Sequence, residues 1–305
     1  MIGLVIKRFF YGLVVVWAVA TITFFLMHSV PGGPFDSEKK FPPEILKNIQ
    51  AKYHLDQPLW KQYGFYMSDL SRLKFGPSFK YRNRQVEDIL AQTFPVSMYL
   101  GFWALLIAVS FGVSAGIVSA LRHNQAFDRI AIFLTTLGIS VPSFVLATLL
   151  IYLFGHRLKI LPPALLEDWR HYLLPAFSLA AAPSAYLARL SRSTLLDTLG
   201  KPFVQSVKAR GVSGARLVFK HLLKNSLSPV VTVLGPLVAM LITGSFVIEK
   251  IFSIPGMGRY FITAVTNRDY PLIMAVTIVY AVLIVLMNFL VDLCYAALDP
   301  RVRLK

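Results

Sequence analysis

Long apolar runs separated by shorter polar segments dominate the pattern of this chain. A helix needs about 20 apolar residues to cross roughly 30 Å of hydrocarbon, and six runs are predicted to do so. They lie at about Phe9–Met27, Val96–Leu121, Ile130–Gly155, Tyr172–Ala188, Pro229–Val247 and Leu272–Leu298. Such runs are too continuous for the alternating strands of a membrane barrel. The pattern therefore predicts an all-α polytopic membrane protein with six transmembrane helices.

The fourth run is the shortest and carries Pro175 and Pro183. Proline is tolerated in a membrane helix where neighbouring helices satisfy the freed carbonyls. The first run follows Lys7 and Arg8, as the core of a secretory signal would, but it continues to Met27. Because that is longer than a typical signal core, we expect residues 1–27 to be a retained anchor helix.

Basic residues divide unequally between the two sides of the predicted membrane. The segments on the side of both termini carry fifteen Lys and Arg, whereas the two short segments opposite carry six. Basic residues favour the cytoplasmic side, so both termini are predicted to be cytoplasmic. The same asymmetry accounts for the net charge of +16, and we expect no nucleic-acid partner.

The long polar segment 28–95 lies on the outer side in this topology. It contains a Pro-Gly-Gly-Pro turn (31–34), many aromatic residues, and polar and apolar positions at helical spacing around Glu44–Ser71. We expect an ordered external subdomain, although the aromatic residues could instead form a belt at the membrane interface. The predicted organisation is 1–27, then the subdomain 28–95, then a core of five transmembrane helices in 96–305.

The segment 189–228 is the most basic part of the chain, with eight Lys and Arg and one acid, Asp197. Val204–Ala209 has no Gly or Pro, and Gly211 follows it. This spacing predicts a short helix that ends at a glycine and lies on the cytoplasmic membrane surface. Such a helix indicates a soluble partner beneath the membrane.

Sequence motifs of the common catalytic sites are absent. The chain has no phosphate-binding Gly-x-x-x-x-Gly-Lys-Ser/Thr, no His-Glu-x-x-His and no Gly-x-Ser-x-Gly. Its six histidines lack metal-ligand spacing, and the single cysteine, Cys294, excludes an intrachain disulfide. We therefore expect no enzyme, and no metal or cofactor site in this chain.

Ionisable residues within the predicted spans are scarce, and Asp292 is the clearest. An ion-coupled carrier usually needs buried carboxylates or a comparable relay at mid-membrane. Without a relay or an ATP site, energy for active transport has to come from another subunit. A self-contained channel or ion-coupled carrier is the alternative, and transport by the purified chain without ATP would favour it.

Small residues mark two of the spans. They allow helices to pack closely and fit either an intramolecular bundle or a pore-lining interface. They are Gly101, Ser110, Gly112, Ser114, Ala115 and Gly116 in the second span, and Gly235, Gly244 and Ser245 in the fifth. Just after the fifth span, Ile254–Gly258 predicts a tight external turn. Its Pro255, Gly256 and Gly258 suit a re-entrant or gate segment.

Several motifs together resemble one family along nearly the whole chain. Val-Lys-Ala-Arg-Gly (207–211), with Pro229 eighteen residues later, is similar to the cytoplasmic "EAA" loop of ATP-binding-cassette importer permeases. The other matching motifs are Phe-Gly-Pro-Ser-Phe-Lys-Tyr (75–81), Phe-Pro-Val-Ser (94–97), Ser-Val-Pro-Ser (140–143), Glu-Lys-Ile-Phe-Ser-Ile-Pro-Gly-Met-Gly (249–258), Asn-Arg-Asp-Tyr (267–270) and Leu-Asp-Pro-Arg-Val (298–302). The set resembles the first permease subunit of oligopeptide importers. Segments 31–35 and 42–55 are closer to the oligopeptide branch than to the dipeptide or nickel branches.

The resemblance implies a type I importer permease fold and a set of partners. These are a homologous second permease, two ATPase subunits that bind ATP, and an extracytoplasmic peptide-binding protein. The ATPases would receive the loop helix at about Val204–Arg216, and an ATPase-coupling role is implied for Gln205, Ser206, Val207, Ala209, Arg210, Gly211 and Arg216.

This chain departs from the general loop motif at two places. Where the family motif has Glu-Ala-Ala, this chain has Gln205, Ser206 and Val207. Where the motif has Leu-Pro, this chain has Leu223-Lys224. Gly211 therefore carries over most directly. Import of dipeptides, nickel or another small solute by the same architecture is the alternative, since selectivity belongs largely to the binding protein.

Overall fold

The computed structural model describes residues 2–31, 55–242 and 246–298. Thirteen α-helices occur in these ranges, and one isolated antiparallel bridge joins Pro77 to Gln85. The helices are α1 Ile2–Ser29, α2 Leu59–Ser71, α3 Val86–Leu121, α4 Ala126–Ser140, α5 Ser143–Leu150, α6 Leu173–Leu199, α7 Pro202–Ala209, α8 Gly214–Leu217, α9 Leu223–Ser226, α10 Ser228–Ile242, α11 Phe246–Ile251, α12 Met257–Asn267 and α13 Tyr270–Leu298. Two π-helical turns, Ile151–Arg157 and Val218–Leu222, extend α5 and α8.

Five stretches are long and apolar enough to cross a membrane. They are Ile6–Ser29, Val86–Leu121, Trp169–Leu199, Ser228–Ile251 and Tyr270–Val291. A sixth results if the bent pair Ala126–Ser140 and Ser143–Arg157 counts as one span. The prediction of an all-α polytopic membrane protein is confirmed.

The third predicted span, Ile130–Gly155, is not one continuous helix. Helices α4 and α5 meet at an angle of 104°. The break falls at Val141, which takes an extended conformation (φ −82°, ψ 120°) directly before Pro142. A residue before proline is disfavoured in the helical region, because the proline ring clashes with its backbone. The prediction of one continuous span was wrong here, and Pro142 is the residue in the sequence that signals the break.

Two other spans are longer than predicted. Helix α3 begins at Val86, ten residues before the predicted start at Val96, and contains Pro95. Its first turn carries Glu87 and Asp88, which favour the positive end of a helix dipole. Helix α6 continues to Leu199 instead of ending near Ala188, so the predicted loop 189–228 begins inside a helix. The polar residues after Ala188 mark where the apolar run ends, but helix α6 itself continues to Leu199.

Helices α3 and α6 pack at the centre of the structure. Gly112 and Gly116 of α3 face the Ser184 and Ala188 carbonyls of α6 so closely that a Cβ atom at either glycine would overlap them. Their neighbourhood is a buried core that includes Leu100, Ala104 and Ala108 of α3 and Ala180 and Leu187 of α6. The predicted small-residue packing is therefore intramolecular at these two glycines.

Some sequence predictions fall outside the described residues. These include residues 32–54, which hold most of the Pro-Gly-Gly-Pro turn and the start of the predicted Glu44–Ser71 helix, together with Gly244 and Ser245. The side chains of Asp292 and Cys294 are likewise outside the described part.

Candidate functional site

Helix α7 is the short helix predicted from the basic segment. It runs over Pro202–Ala209, with proline at its first position, where the missing N–H costs no hydrogen bond. Val204 and Val207 are buried on its inner face, against Leu195 of α6, Leu217 of α8 and Leu222 of the π-helical turn that follows α8. Burying a valine contributes about 1.5–3 kcal/mol. The helix is therefore held firmly against the end of α6.

The outer face of α7 is polar and unoccupied by the rest of the described chain. Most of the predicted coupling residues lie in this exposed region: Gln205, Ser206, Ala209, Arg210, Gly211 and Arg216. Val207 is only 5% exposed and packs inward, so it anchors α7 to the rest of the chain. The structure thus separates the predicted set into an exposed surface and one buried residue.

Gly211 ends this helix by its backbone conformation. Its φ is +82°, in the left-handed region that residues with a Cβ atom adopt at a cost, and its N–H donates to the Lys208 carbonyl at 2.9 Å. No atom would lie within 4 Å of a Cβ at Gly211, so the requirement for glycine comes from the backbone and not from crowding. Gly214, at φ +58°, is a second glycine in the left-handed region and is the first residue of α8.

A buried ion pair lies where α4 and α6 meet near α7. The Asp128 side chain accepts hydrogen bonds from Arg192 Nε at 2.7 Å and Arg192 Nη2 at 2.9 Å. It also accepts from the Ser119 hydroxyl and from the Asn124 backbone N–H at 2.9 Å. Asp128 is fully buried, whereas the Arg192 side chain is 22% exposed. This pair fixes α6 about two turns before its end at Leu199.

The outer turn predicted at Ile254–Gly258 surrounds a second buried carboxylate, Glu249 of α11. Ser97 Oγ of α3 donates to Glu249 Oε1 at 2.7 Å and accepts from the Met257 N–H at 2.8 Å. Glu249 Oε2 accepts from the Arg259 N–H, in the first turn of α12, at 3.0 Å. Gly256 and Gly258 are buried against this carboxylate, whereas Pro255 is exposed.

A third buried carboxylate, Asp269, lies between α12 and α13. It accepts from the Ser78 hydroxyl and from the Phe79 N–H at 3.1 Å. The Ser78 hydroxyl oxygen in turn accepts from the N–H groups of Lys80 and Tyr81 at 3.1 and 2.9 Å. Burial raises the pKa of the Asp269 carboxyl above its ordinary value of 3.8, although these donors oppose the rise.

None of these three carboxylates was predicted from the sequence to be a structural centre. Four of the sequence motifs do contain two of them, Glu249 and Asp269, and their serine partners. Ser97 and Glu249 join motifs 94–97 and 249–258, while Ser78 and Asp269 join motifs 75–81 and 267–270. The partners are separated by 152 and 191 residues, so no local signal could have matched them. Within the described residues, no group of three or more His, Cys, Asp or Glu could hold a metal ion.

Two family models match the chain. "Binding-protein-dependent transport system inner membrane component" covers residues 112–304, and the N-terminal model of the same membrane component covers residues 1–101. The larger match alone spans more than half of the chain.

Characterised relatives align over nearly their entire length. The chain is 47% identical to the dipeptide transport system permease protein DppB of Bacillus subtilis over 98% of this chain and 97% of the relative. It is 42% identical to the oligopeptide transport system permease protein OppB of Haemophilus influenzae and 39% identical to OppB of Salmonella typhimurium, each over 99% of this chain and 100% of the relative.

Solved structures share the fold at low sequence identity. A chain of the inward-facing MetNI methionine ABC transporter matches with a TM-score of 0.53 at 16% identity, over 69% of this chain and 96% of that one. An amino acid ABC transporter solved with histidines matches with a TM-score of 0.53 at 18% identity, over 69% and 94%. These likenesses show the type I importer permease fold alone.

The fold, the family models and the full-length relatives agree. In this family the membrane component is not itself an enzyme, and ATP is bound by partner ATPase subunits. The chain belongs to the binding-protein-dependent transport system inner membrane component family, and it is a multi-pass permease subunit of an ABC importer.

Proposed function

We propose that this chain forms half of the membrane pathway of a peptide importer, together with a homologous second permease. The main support for this proposal is that full-length relatives are named oligopeptide and dipeptide permeases. Import of oligopeptides is favoured by the sequence motifs at 31–35 and 42–55. Import of dipeptides is the second candidate, because a dipeptide permease is 47% identical to this chain.

Peptide uptake tests this function directly. Cells that lack the gene are expected to lose uptake of labelled tri- and pentapeptides and to regain it when the gene is restored. Restoration of dipeptide uptake alone would place the protein in the dipeptide branch. Unchanged uptake of all three lengths, in a strain without other peptide importers, would contradict peptide import, and nickel uptake would then be measured.

The exposed face of α7 is the surface on which we place the ATPase partner. Gln205, Ser206 and Arg210 present polar groups there beside the exposed Ala209, while Val204 and Val207 hold the helix to α6. The unequal distribution of Lys and Arg supports a cytoplasmic position for this surface and for both termini. Two ATPase subunits, one for each permease, would drive the pair between outward and inward states by binding these states differently.

Substitution of Gly211 is expected to uncouple ATP hydrolysis from uptake. Gly211→Ala forces a left-handed φ on a residue with a Cβ, at a cost of about 1–2 kcal/mol, and Gly211→Arg adds bulk and charge to the exposed turn. We expect Gly211→Arg to lower uptake at least about tenfold, which corresponds to 1.4 kcal/mol in coupling, while the amount in the membrane stays unchanged.

The matched control for this substitution is Gly200→Ala. Gly200 precedes the same helix with an ordinary φ of −76°, and a Cβ there would lie 3.7 Å from the Asp197 carbonyl oxygen. This variant should transport normally. Normal uptake by Gly211→Arg, measured beside this control, would exclude a docking role for the turn.

The turn Ile254–Gly258 is placed at the external gate in this proposal, as a re-entrant segment that follows a span. A Cβ atom at Gly256 would lie 2.5 Å from Glu249 Oε2 and 2.6 Å from Ser97 Oγ, so Gly256→Val is expected to displace the turn and abolish uptake. Pro255→Ala, at an exposed position, should have the smaller effect. If both variants kept normal uptake and normal stimulation of ATP hydrolysis by the binding protein, the gate assignment would be withdrawn.

A further inference from the structure

Helix α12 is held at each end by a buried carboxylate that reaches a distant part of the chain. At its beginning, Glu249 accepts the Arg259 N–H and binds Ser97 of α3. Just after its end, Asp269 binds Ser78 and Phe79 of the external segment. We call these the Ser97–Glu249 contact and the Ser78–Asp269 contact. Helix α12 therefore joins the outer turn to residues 75–85.

Residues 76–86 of the external segment are themselves folded around the Ser78–Asp269 contact. The Ser78 N–H donates to the Arg84 carbonyl at 3.1 Å, and the Val86 N–H donates to the Gly76 carbonyl at 3.0 Å. The same residues lead directly into α3, whose first buried positions, Val86 and Ile89, pack with Met257 and Ala264 of α12. The segment and α12 can therefore move together.

Both contacts depend on burial for their strength. Glu249, Asp269 and Ser97 are fully buried, and Ser78 is 4% exposed. A hydrogen bond to a carboxylate in such surroundings is stronger than one exposed to water, and a buried carboxylate that loses a donor is left partly unsatisfied. Each contact is therefore suited to two discrete states, made and broken, instead of a gradual change.

We propose that Ser97, Glu249, Ser78 and Asp269 are one set of positioning residues, through which occupancy of the outer face by the binding protein sets the rate of ATP hydrolysis. The inference rests on the proposed importer function and on the external position of residues 28–95. The external segment receives the binding protein, α12 carries the displacement, and the outer turn responds through Glu249 and Ser97. Neither end acts alone, because both contacts hold the same helix.

The test uses the purified complex of both permeases and both ATPases in lipid nanodiscs, with the binding protein and trialanine as the probe peptide. The measured quantity is the ratio of ATP hydrolysis with the loaded binding protein to hydrolysis without it. A purely structural role would change the amount of assembled complex but leave this ratio alone. The variants are Ser97→Ala, Ser78→Ala and the double variant.

Each single variant is expected to lower the stimulation ratio at least about tenfold. The double variant should lower it no further, because one broken contact already releases α12. Non-additivity of this kind reports coupling between sites that share no residue. Thr263→Ala is the matched control, since Thr263 lies on α12 and its hydroxyl donates only to the Arg259 carbonyl of the same helix at 3.0 Å. That variant should keep the wild-type ratio.

Two results would overturn the inference: an unchanged ratio in both single variants, or a double variant whose loss is the product of the two single losses. If either alanine variant fails to assemble, Glu249→Gln and Asp269→Asn disturb the same two contacts through their carboxylate partners. The same double-mutant cycle is then measured with these two variants. Failure of the proposed function is distinguishable, because the wild-type complex would then show no stimulation in nanodiscs and, when reconstituted in proteoliposomes, no ATP-driven uptake of trialanine.

Discussion

Gly112→Ala is expected to destabilise the permease by about 3 kcal/mol, which is at the upper end for overpacking of a core. A Cβ atom at Gly112 would lie 2.5 Å from the Ser184 carbonyl oxygen and 3.0 Å from Leu187 Cβ. The first of these is a backbone atom of α6, so no side-chain rotation can relieve the overlap. Helices α3 and α6 would have to separate along their whole contact.

A single methyl group at Gly138 gives the matched comparison. Gly138 of α4 also faces α6, but a Cβ there would meet the Ala185 Cβ at 3.1 Å, and the nearest backbone atom is at 3.4 Å. Because alanine favours a helix over glycine by about 1 kcal/mol, Gly138→Ala should be close to neutral. Thermal unfolding of the purified complexes measures both effects. Equal melting temperatures for the two variants would show that the close approach of α3 and α6 contributes little to the stability of the permease.

Arg192→Met is the second substitution with a large expected effect, about 3–5 kcal/mol, because it leaves the Asp128 carboxylate buried without its cation. Ser119 and the Asn124 N–H would remain as donors, and they cannot neutralise the charge. We expect loss of both stability and uptake, since the ion pair lies at the end of α6 that leads to α7. Thermal unfolding and peptide uptake are measured together.

Two further variants separate the ion pair from ordinary loss of a basic residue. Arg189 lies one turn earlier on α6, is exposed and donates to Thr136 Oγ1 at 2.8 Å, so Arg189→Met should cost less than about 1 kcal/mol. The double variant Asp128→Leu with Arg192→Met removes both charges and should recover much of the lost stability. A double variant as unstable as Arg192→Met alone would contradict an electrostatic origin.

Recovery of stability without recovery of uptake in that double variant would mean that the ion pair also sets the direction of α6, and thus the position of α7. His123, whose Nδ1 lies 3.3 Å from Asp128 Oδ2 and 3.1 Å from Arg192 Nη2, belongs to the same cluster. The cluster therefore joins the loop after α3 to α6, the helix that leads into α7.

The sequence by itself determined which segments can cross a membrane and where the short surface helix lies. Burial of about twenty consecutive apolar residues is a property of one segment, so it can be read without knowing what surrounds it. The same holds for α7, because Pro202 at its beginning and Gly211 at φ +82° after its end act through the local backbone. The family resemblance followed from motifs that are each contiguous.

Only the tertiary structure shows which distant residues contact one another. Nothing near Ser97 in the chain indicates Glu249, and nothing near Asp128 indicates Arg192, 64 residues later. A carboxylate can be buried only where donors or a cation from elsewhere converge on it. The sequence likewise marked Gly112 only as one of several small residues that permit close packing, whereas the fold showed that its partner is the Ser184 carbonyl of α6.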